Sequence, residues 1–195
     1  MKEKQNKQGT LPTRHQLEKE LHREVRREQR RKVAASAVSA LLTAMAVAVL
    51  VFTNLLPVLR VEGASMAPTL QSGEIVVSLR GGTMERGDLL AFYYQIEILL
   101  KRVIGLPGEE INLDADGNVY IDGNLLQEPY LTERALGDCD VEFPFRVPEN
   151  QYFVLGDHRS TSSDSRMAAI GCVAEDRILG TVFFRIWPLN RCGAV

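Results

Sequence analysis

The chain has 195 residues, of which 45% are hydrophobic and 25% charged, with a net charge of −2. This composition excludes wholesale disorder and the collagen-like or mucin-like classes, and the length suits one compact domain with appendages. The net charge hides an asymmetry. Residues 1–32 hold 11 Lys/Arg and 5 Asp/Glu, a balance of +6, which leaves 12 and 20, a balance of −8, for residues 33–195. The three cysteines are too few and too scattered for a disulfide scaffold or a zinc site.

The basic leader, residues 1–32, comes first in the chain. From Arg14 to Lys32 it places Glu and Arg at helical spacings, which favours a charged helix. A nucleic-acid-binding arm is the alternative interpretation. Because five acidic residues interrupt the basic ones, we expect an anionic lipid surface rather than nucleic acid beside the leader.

A long uncharged stretch follows, from Val33 to Leu59. Its first part, residues 33–56, exceeds the roughly 20 apolar residues that a membrane-crossing helix needs, so we predict a transmembrane helix. A buried core helix and a cleaved signal peptide are the alternatives, the latter suggested by Ala44-Met45-Ala46. A 32-residue leader is long for a signal peptide, which favours a retained anchor. The clustered Arg and Lys before the span predict a cytoplasmic N-terminus, with residues 57–195 outside the cell membrane.

Beyond the span, short apolar runs alternate with Gly, Asp, Asn and Pro clusters, a pattern typical of antiparallel strands and hairpins. We predict a mainly β fold, with a single N-terminal transmembrane helix followed by an antiparallel β-rich domain. Residues 132–150 show no period and are predicted to form a loop. The predicted strands are Glu74–Leu79, Asp88–Tyr94, Leu99–Gly105, Glu110–Leu113, Val119–Ile121, Tyr152–Leu155 and Ile178–Ile186.

Small residues surround Ser65, in a loop that could expose its hydroxyl as a nucleophile. A serine nucleophile needs a base. Beyond the span there is one histidine, His158, and one lysine, Lys101. Adjacent Asp157 is poorly placed to orient the His158 imidazole, because neighbours in an extended segment point to opposite sides. A lysine in apolar surroundings can lose its proton near neutral pH, although an ordinary surface lysine is the competing interpretation.

Four motifs together carry a family resemblance. They are, in chain order, Gly63-Ala64-Ser65-Met66-Ala67-Pro68-Thr69-Leu70, Arg86-Gly87-Asp88-Leu89-Leu90-Ala91-Phe92, Lys101-Arg102-Val103-Ile104-Gly105-Leu106-Pro107-Gly108-Glu109, and Gly156-Asp157-His158-Arg159-Ser160-Thr161-Ser162-Ser163-Asp164-Ser165-Arg166. The sequence resembles the bacterial type I signal peptidases, membrane-anchored Ser/Lys endopeptidases that remove signal peptides from exported proteins. The resemblance covers most of residues 57–188.

The resemblance implies roles for individual residues. Ser65 would be the nucleophile and Lys101 the general base. Ser162 would orient the lysine amine, and Asp164 and Arg166 would form a supporting ion pair. Gly63 stands where many members carry a serine that donates to the oxyanion, so the Ser65 backbone N–H would be the main donor. The residues implied to line pockets for small side chains at −1 and −3 are Leu59, Val61, Met66, Leu70, Ala91, Leu99 and Leu100, for which core packing is the competing interpretation.

No metal or other cofactor is implied, and a monomer acting on the signal peptides of preproteins at the lipid bilayer is expected. Two alternatives stay open: a self-cleaving Ser/Lys peptidase like the SOS-repressor group, and a non-enzymatic, anchored β-rich binding module. The cysteines are expected to be small buried or incidental residues. Trp187, at the end of the last strand, is expected to pack in the core rather than to touch the lipid interface.

Overall fold

The computed structural model describes residues 14–195; residues 1–13, the first part of the predicted leader, lie outside the described chain. The chain divides into two compact units, with the boundary between Val51 and Phe52. Helix α1, Arg14–Leu55, makes up the described part of the first unit and ends just inside the second. Pro57 explains this end, since the residue before a proline disfavours helical backbone.

Within α1, Leu21–Leu55 is long and apolar enough to cross a membrane, with a mean hydropathy of 2.3 over its most apolar window. Its large apolar side chains are exposed along this stretch, for example Leu41 and Phe52. Residues 14–32 of the leader and the apolar segment are thus parts of one continuous helix, as the helical spacings of the former and the Ala and Leu content of the latter predict.

The second unit is built on two antiparallel sheets. The larger has the strand order β1-β2-β11-β3-β4-β9-β10, with β12 paired to β11, and the smaller has the order β7-β6-β5-β8. The strands are β1 Val58–Arg60, β2 Ile75–Leu79, β3 Leu89–Tyr94, β4 Glu97–Gly105, β5 Glu110–Leu113, β6 Val119–Ile121, β7 Asn124–Leu125, β8 Phe145–Arg146, β9 Gln151–Leu155, β10 Val173–Ala174, β11 Ile178–Trp187 and β12 Gly193–Ala194. Two short 3-10 helices, Glu175–Arg177 and Leu189–Arg191, flank β11.

Strands β3 and β9 of the large sheet are covered on both faces, which fits their continuous apolar runs. Four successive residues of β3, Leu89 to Phe92, are buried, as are Tyr152 to Leu155 of β9. Strand β4 lies between these two strands and pairs with both of them. A side chain on β4 therefore enters the middle of the unit, and a lysine there loses most of its water.

The mainly antiparallel β fold with one N-terminal apolar helix is confirmed, and all seven predicted strands are present. The short strands β1, β7, β8, β10 and β12 were not predicted. Four of them have only two residues, too few for a readable period, and β1 begins within the uncharged stretch that predicts a helix. The prediction of a loop for residues 132–150 is wrong at β8, which pairs with β5. The core position predicted for Trp187 is also wrong: its side chain is 51% exposed, since it lies at the end of β11.

Candidate active site

Ser65 lies in a run of turns between β1 and β2. The Val61 N–H donates to the Glu74 carbonyl and the Gly73 N–H to the Val61 carbonyl, both at 2.8 Å. These two backbone hydrogen bonds close the base of the loop. The Leu70 N–H donates to the Met66 carbonyl at 2.9 Å, which tightens the turn after the serine. The loop thus holds a partly exposed Ser65 hydroxyl between the buried side chains of Val61 and Met66.

Gly63, two residues before Ser65, has a φ of +81°. This is left-handed backbone, which glycine adopts without the steric cost that a Cβ brings. A Cβ built there would meet nothing within 4 Å, so the backbone angle, and not lack of space, favours glycine. The structure thus gives a local reason for the glycine at this position.

Lys101 lies on β4 and is only 4% exposed. Burial lowers the pKa of its amine from 10.5 to about 8; the Arg166 charge adds to the lowering, while the carboxylates of Asp164 and Asp157 oppose it. The amine donates no hydrogen bond to another residue of the described chain, so a Ser65–Lys101 hydrogen bond is not formed in this structure. Since such bonds are often long without a substrate, the pairing stays a prediction.

Two cavities meet at Ser65 and Lys101. One has a volume of about 490 Å³ and the other about 650 Å³. Both are lined by the same five residues, Gly63, Ser65, Glu97, Leu99 and Lys101. The serine hydroxyl and the buried amine are therefore brought to one place, where two cavities open from the same pair of side chains.

The smaller cavity contains most of the residues predicted to bind small side chains. Leu59, Val61, Met66, Leu99 and Leu100 line it. The two remaining residues, Leu70 and Ala91, are fully buried in an apolar cluster and do not line it.

The segment from Gly156 to Arg166 packs directly against the Ser65 loop. The His158 N–H donates to the Ser65 carbonyl at 3.0 Å. A Cβ added to Gly156 would lie 2.1 Å from Ser162 Oγ and 2.6 Å from the Ser65 carbonyl oxygen. Only a glycine lets these two segments approach so closely, and the sequence offered no sign of this requirement.

Ser162 is buried, and its hydroxyl has no hydrogen-bond partner among residues 14–195. A buried hydroxyl without a partner costs free energy, so such groups are rare unless they serve another purpose. The resemblance implies that Ser162 hydrogen-bonds the Lys101 amine and orients it. A hydroxyl without another hydrogen-bond partner is compatible with that role.

Asp164 and Arg166 form the buried ion pair that the resemblance predicted. Arg166 Nε donates to Asp164 Oδ1 and Nη2 to Oδ2, both at 2.8 Å, and neither side chain is exposed. Asp164 Oδ2 also accepts the Gly156 N–H at 2.9 Å, and Arg166 Nη2 donates to the Ser162 carbonyl at 3.2 Å. The pair therefore fixes the backbone on both sides of the segment that contacts Ser65.

A second buried ion pair, which the sequence did not reveal, links the four motifs. Arg102 donates to both carboxylate oxygens of Asp157, at 2.9 and 2.6 Å, and to the Gly87 carbonyl at 2.7 Å. The Thr69 hydroxyl donates to Asp157 Oδ2 at 2.5 Å. Asp157 thus bonds to Arg102 and Thr69, whereas His158 Nδ1 contacts the Thr161 hydroxyl, which argues against a Ser-His-Asp triad.

A third buried pair comes from a segment that carried no sequence signal. Arg159 Nη1 and Nη2 donate to the two carboxylate oxygens of Glu128, and the Tyr130 hydroxyl donates to Glu128 Oε1 at 2.8 Å. The Tyr130 ring also lies under the Arg102 guanidinium, 4.0 Å from its centroid. Burial, together with the Glu128 carboxylate, raises the pKa of Tyr130 far above its usual value, so the hydroxyl stays a donor.

The site thus has the groups of a serine hydrolase: an accessible hydroxyl and a buried amine that is readily neutral, in a β-rich unit. Comparison with known proteins agrees. The family model described as "Signal peptidase, peptidase S26" matches residues 34–187. Similar proteins include signal peptidase I T of Bacillus subtilis, 36% identical over 74% of this chain and 80% of that protein, and signal peptidase I of Bacillus amyloliquefaciens, 37% identical over 74% and 81%.

Signal peptidase IB of Staphylococcus aureus (strain COL) is 36% identical over 67% of this chain and 77% of its own. Among solved structures, a signal peptidase I from Enterococcus faecalis V583 is 32% identical and covers 51% of this chain and 97% of its own, with a TM-score of 0.42. The chain belongs to the signal peptidase family, peptidase S26. The resemblance found from the four motifs is thereby confirmed, and the family's chemistry is that of a serine endopeptidase.

Proposed function

We propose that this chain is a membrane-anchored signal peptidase that cuts signal peptides from exported preproteins, with Ser65 as nucleophile and Lys101 as general base. The observation that carries the proposal is the environment of Lys101. It is the only lysine beyond residue 32, it is buried, and its pKa of about 8 lies near neutral pH. A general base is most effective when its pKa lies near the working pH.

In the proposed reaction, neutral Lys101 takes the proton of the Ser65 hydroxyl while the serine oxygen attacks the scissile carbonyl. The Ser65 N–H donates to the oxyanion that forms. The protonated amine then gives its proton to the leaving nitrogen as the C–N bond breaks. Water, deprotonated by the same lysine, attacks the acyl ester and releases the serine.

Ser162, Asp164 and Arg166 would support this base without reacting. The unpartnered Ser162 hydroxyl is suited to accept a hydrogen bond from the lysine amine and aim it at Ser65. Asp164 and Arg166 hold the backbone around Ser162 by the hydrogen bonds described above. Because Asp164 opposes the pKa lowering and Arg166 adds to it, the pair also keeps the amine's pKa near 8.

Specificity for small residues at −1 and −3 would come from the smaller cavity. A substrate bound in extended form directs alternate side chains to one face, so two shallow apolar pockets are enough. Leu59, Val61, Met66, Leu99 and Leu100 are suited to line them, since they border both the cavity and Ser65. For Leu70 and Ala91 the role would be indirect, as support beneath the pockets.

The apolar part of α1 would anchor the enzyme in the cell membrane as a monomer, with residues 33–56 as the span and residues 57–195 as the extracytoplasmic peptidase domain. The basic leader would stay on the cytoplasmic side, because Lys and Arg concentrate on that side of membrane spans. Signal peptides are themselves membrane-embedded, so an anchor would place enzyme and substrate in the same bilayer.

The test uses the full chain in detergent with a preprotein. Ser65→Ala should abolish cleavage, and Lys101→Arg should lower kcat by about 10²- to 10⁴-fold, since a guanidinium keeps its proton. In wild type, activity should rise with pH through about pH 8, as the lysine loses its proton. His158→Ala serves as the matched control and should still cleave. Cleavage by Ser65→Ala, or a dispensable Lys101, would overturn the assignment.

A second experiment separates a positioning role of Ser162 from a structural one. Ser162→Ala removes a hydroxyl that has no partner among residues 14–195, so the midpoint of thermal unfolding should stay the same or rise slightly. If the hydroxyl aims the lysine amine, kcat should nevertheless fall at least tenfold, and Ser162→Thr should restore part of it. Unchanged kcat in Ser162→Ala would remove this residue from the mechanism.

A further inference from the structure

The larger cavity, about 650 Å³, shares only Leu99 with the residues proposed to bind −1 and −3. It extends from Ser65 and Lys101 along a wall made by the segment that contacts the serine loop, with His158, Thr161 and Ser163 on that wall. Tyr94 and Ile170 also line it. This wall thus offers a ligand one imidazole and two hydroxyl groups, which the lining of the smaller cavity lacks apart from the Ser65 hydroxyl.

A peptide cut at Ser65 must continue on both sides of the scissile bond. The acyl part stays on the serine and the leaving part carries the new amino group. Because Ser65 and Lys101 line both cavities, a bound chain that enters one cavity can leave through the other. The smaller cavity holds the aliphatic side chains proposed to bind the small residues before the cut, which leaves the larger cavity for the residues after it.

We infer that the larger cavity binds the first residues of the released protein, and that His158 is a specificity-determining residue that hydrogen-bonds a polar side chain there. This inference rests on the proposed function.

His158 is well prepared for such a contact. Its backbone N–H is held by the Ser65 carbonyl at 3.0 Å, so the residue keeps a fixed position next to the nucleophile. Its Nδ1 contacts the Thr161 hydroxyl, which orients the ring. The other ring nitrogen, Nε2, has no hydrogen-bond partner among residues 14–195 and remains for a ligand.

Hydrogen bonding, rather than charge, is the basis of this selection. Glu97 and Lys101, both on β4, add a carboxylate and an amine to the lining of the cavity, so neither sign of charge dominates it. A neutral amide side chain, such as that of glutamine, can both donate and accept and suits an imidazole in either tautomer. Leucine has a similar bulk but no polar atom, and it is the matched comparison.

The test compares peptide substrates that carry Gln or Leu at the first, and separately at the second, residue after the cut. Wild-type full-length enzyme in detergent should prefer Gln at one of these positions by about 3- to 10-fold in kcat/KM, the range that one net hydrogen bond gives. His158→Ala should bring that ratio close to one while it still cleaves. His158→Asn, which keeps a donor and an acceptor, should retain part of the preference.

Controls separate this subsite from its surroundings. Thr161→Val should weaken the Gln preference, because the imidazole loses the hydroxyl that orients it. Ser160→Ala, an exposed neighbour in the same segment that does not line the cavity, should leave it unchanged. In every variant, discrimination between Ala and Leu at −1 should stay as in wild type, because that residue binds in the other cavity.

The outcomes distinguish the two proposals. A Gln preference that is absent in wild type, or that persists in His158→Ala, overturns the subsite while cleavage itself upholds the peptidase. Failure of the wild-type enzyme to cut any of the peptides, with a preprotein also left intact, overturns the proposed function and the subsite with it.

Discussion

Two sets of ion pairs hold the Ser65 loop, and they differ in how much water reaches them. The buried set is Arg102–Asp157, Arg159–Glu128 and Arg166–Asp164; their side chains are at most 11% exposed. The C-terminal set joins Glu74 to Arg185 and Arg191, at 2.9 and 2.7 Å, and Arg191 is 32% exposed. Both sets contact Thr69: Asp157 accepts its hydroxyl, and Arg185 donates to its carbonyl at 3.0 Å.

The solvent exposure of an ion pair decides how much the stability of the fold depends on it. A buried pair gains little over apolar packing while it is intact, but the loss of one partner leaves a charge without solvent or counter-ion. When a partly exposed pair is broken, water solvates the remaining charge, so the loss of stability is small. The segment around Ser162 should therefore be sensitive to single changes. In the C-terminal set only Arg191 should tolerate them, because Arg185 is as buried as Arg102, 12% against 11% exposed.

The largest effect is expected at the buried Asp164–Arg166 pair. Asp164→Asn keeps the shape of the side chain but leaves the Arg166 guanidinium without a negative partner, so the free energy of unfolding should fall by about 3–5 kcal/mol. Urea unfolding followed by the fluorescence of Trp187, the single tryptophan, would measure it. A loss below 1 kcal/mol would mean that water reaches this pair after all.

Lys101 shows what a buried charge costs without a partner, because the residue is buried and forms no salt bridge with residues 14–195. Its pKa is 10.5 when unfolded and about 8 when folded, so the unfolded chain binds the proton more tightly. Below pH 8 the amine is charged in both states, and its burial opposes folding fully. Between pH 8 and 10.5 this penalty shrinks, and above 10.5 it is gone.

Lys101→Met removes this penalty while keeping an apolar side chain. At pH 7 the variant should be more stable than wild type by about 3 kcal/mol, since each unit of pKa is worth about 1.4 kcal/mol. The gain should decrease as the pH rises from 8 to 10.5. Unfolding curves of wild type and of the inactive Lys101→Met variant across this pH range would measure the gain. A gain that does not change with pH would point to better packing instead.

The smallest effect is expected in the C-terminal set. Arg191→Ala should lower the free energy of unfolding by less than about 1 kcal/mol, because Glu74 keeps Arg185 and the lost cation is partly exposed. Arg185→Ala is the matched control and should cost more, since Arg185 also holds the Thr69 carbonyl. Equal losses in the free energy of unfolding from both changes would show that the two arginines contribute equally to stability.

Much of the site could be predicted from residue types. One lysine beyond the leader and one serine in a small-residue loop make Lys101 and Ser65 candidates, because arginine cannot serve as a base, and the resemblance of the four motifs implies their roles. The partners of the buried arginines could not be predicted. Arg102 meets Asp157, 55 positions away, and Arg159 meets Glu128, 31 positions away; both pairs depend on how β4, β9 and the intervening segments fold together.

Local patterns in the sequence determine the apolar helix, the main strands and the family, because each depends on residues that are close together in the chain. The burial of Lys101, unlike these features, is not determined by local sequence. Its flanking residues suggest apolar surroundings, but its pKa follows from the strands and segments packed around it. Desolvation and long-range charge depend on all the atoms within several ångströms, and only the tertiary structure decides which atoms those are.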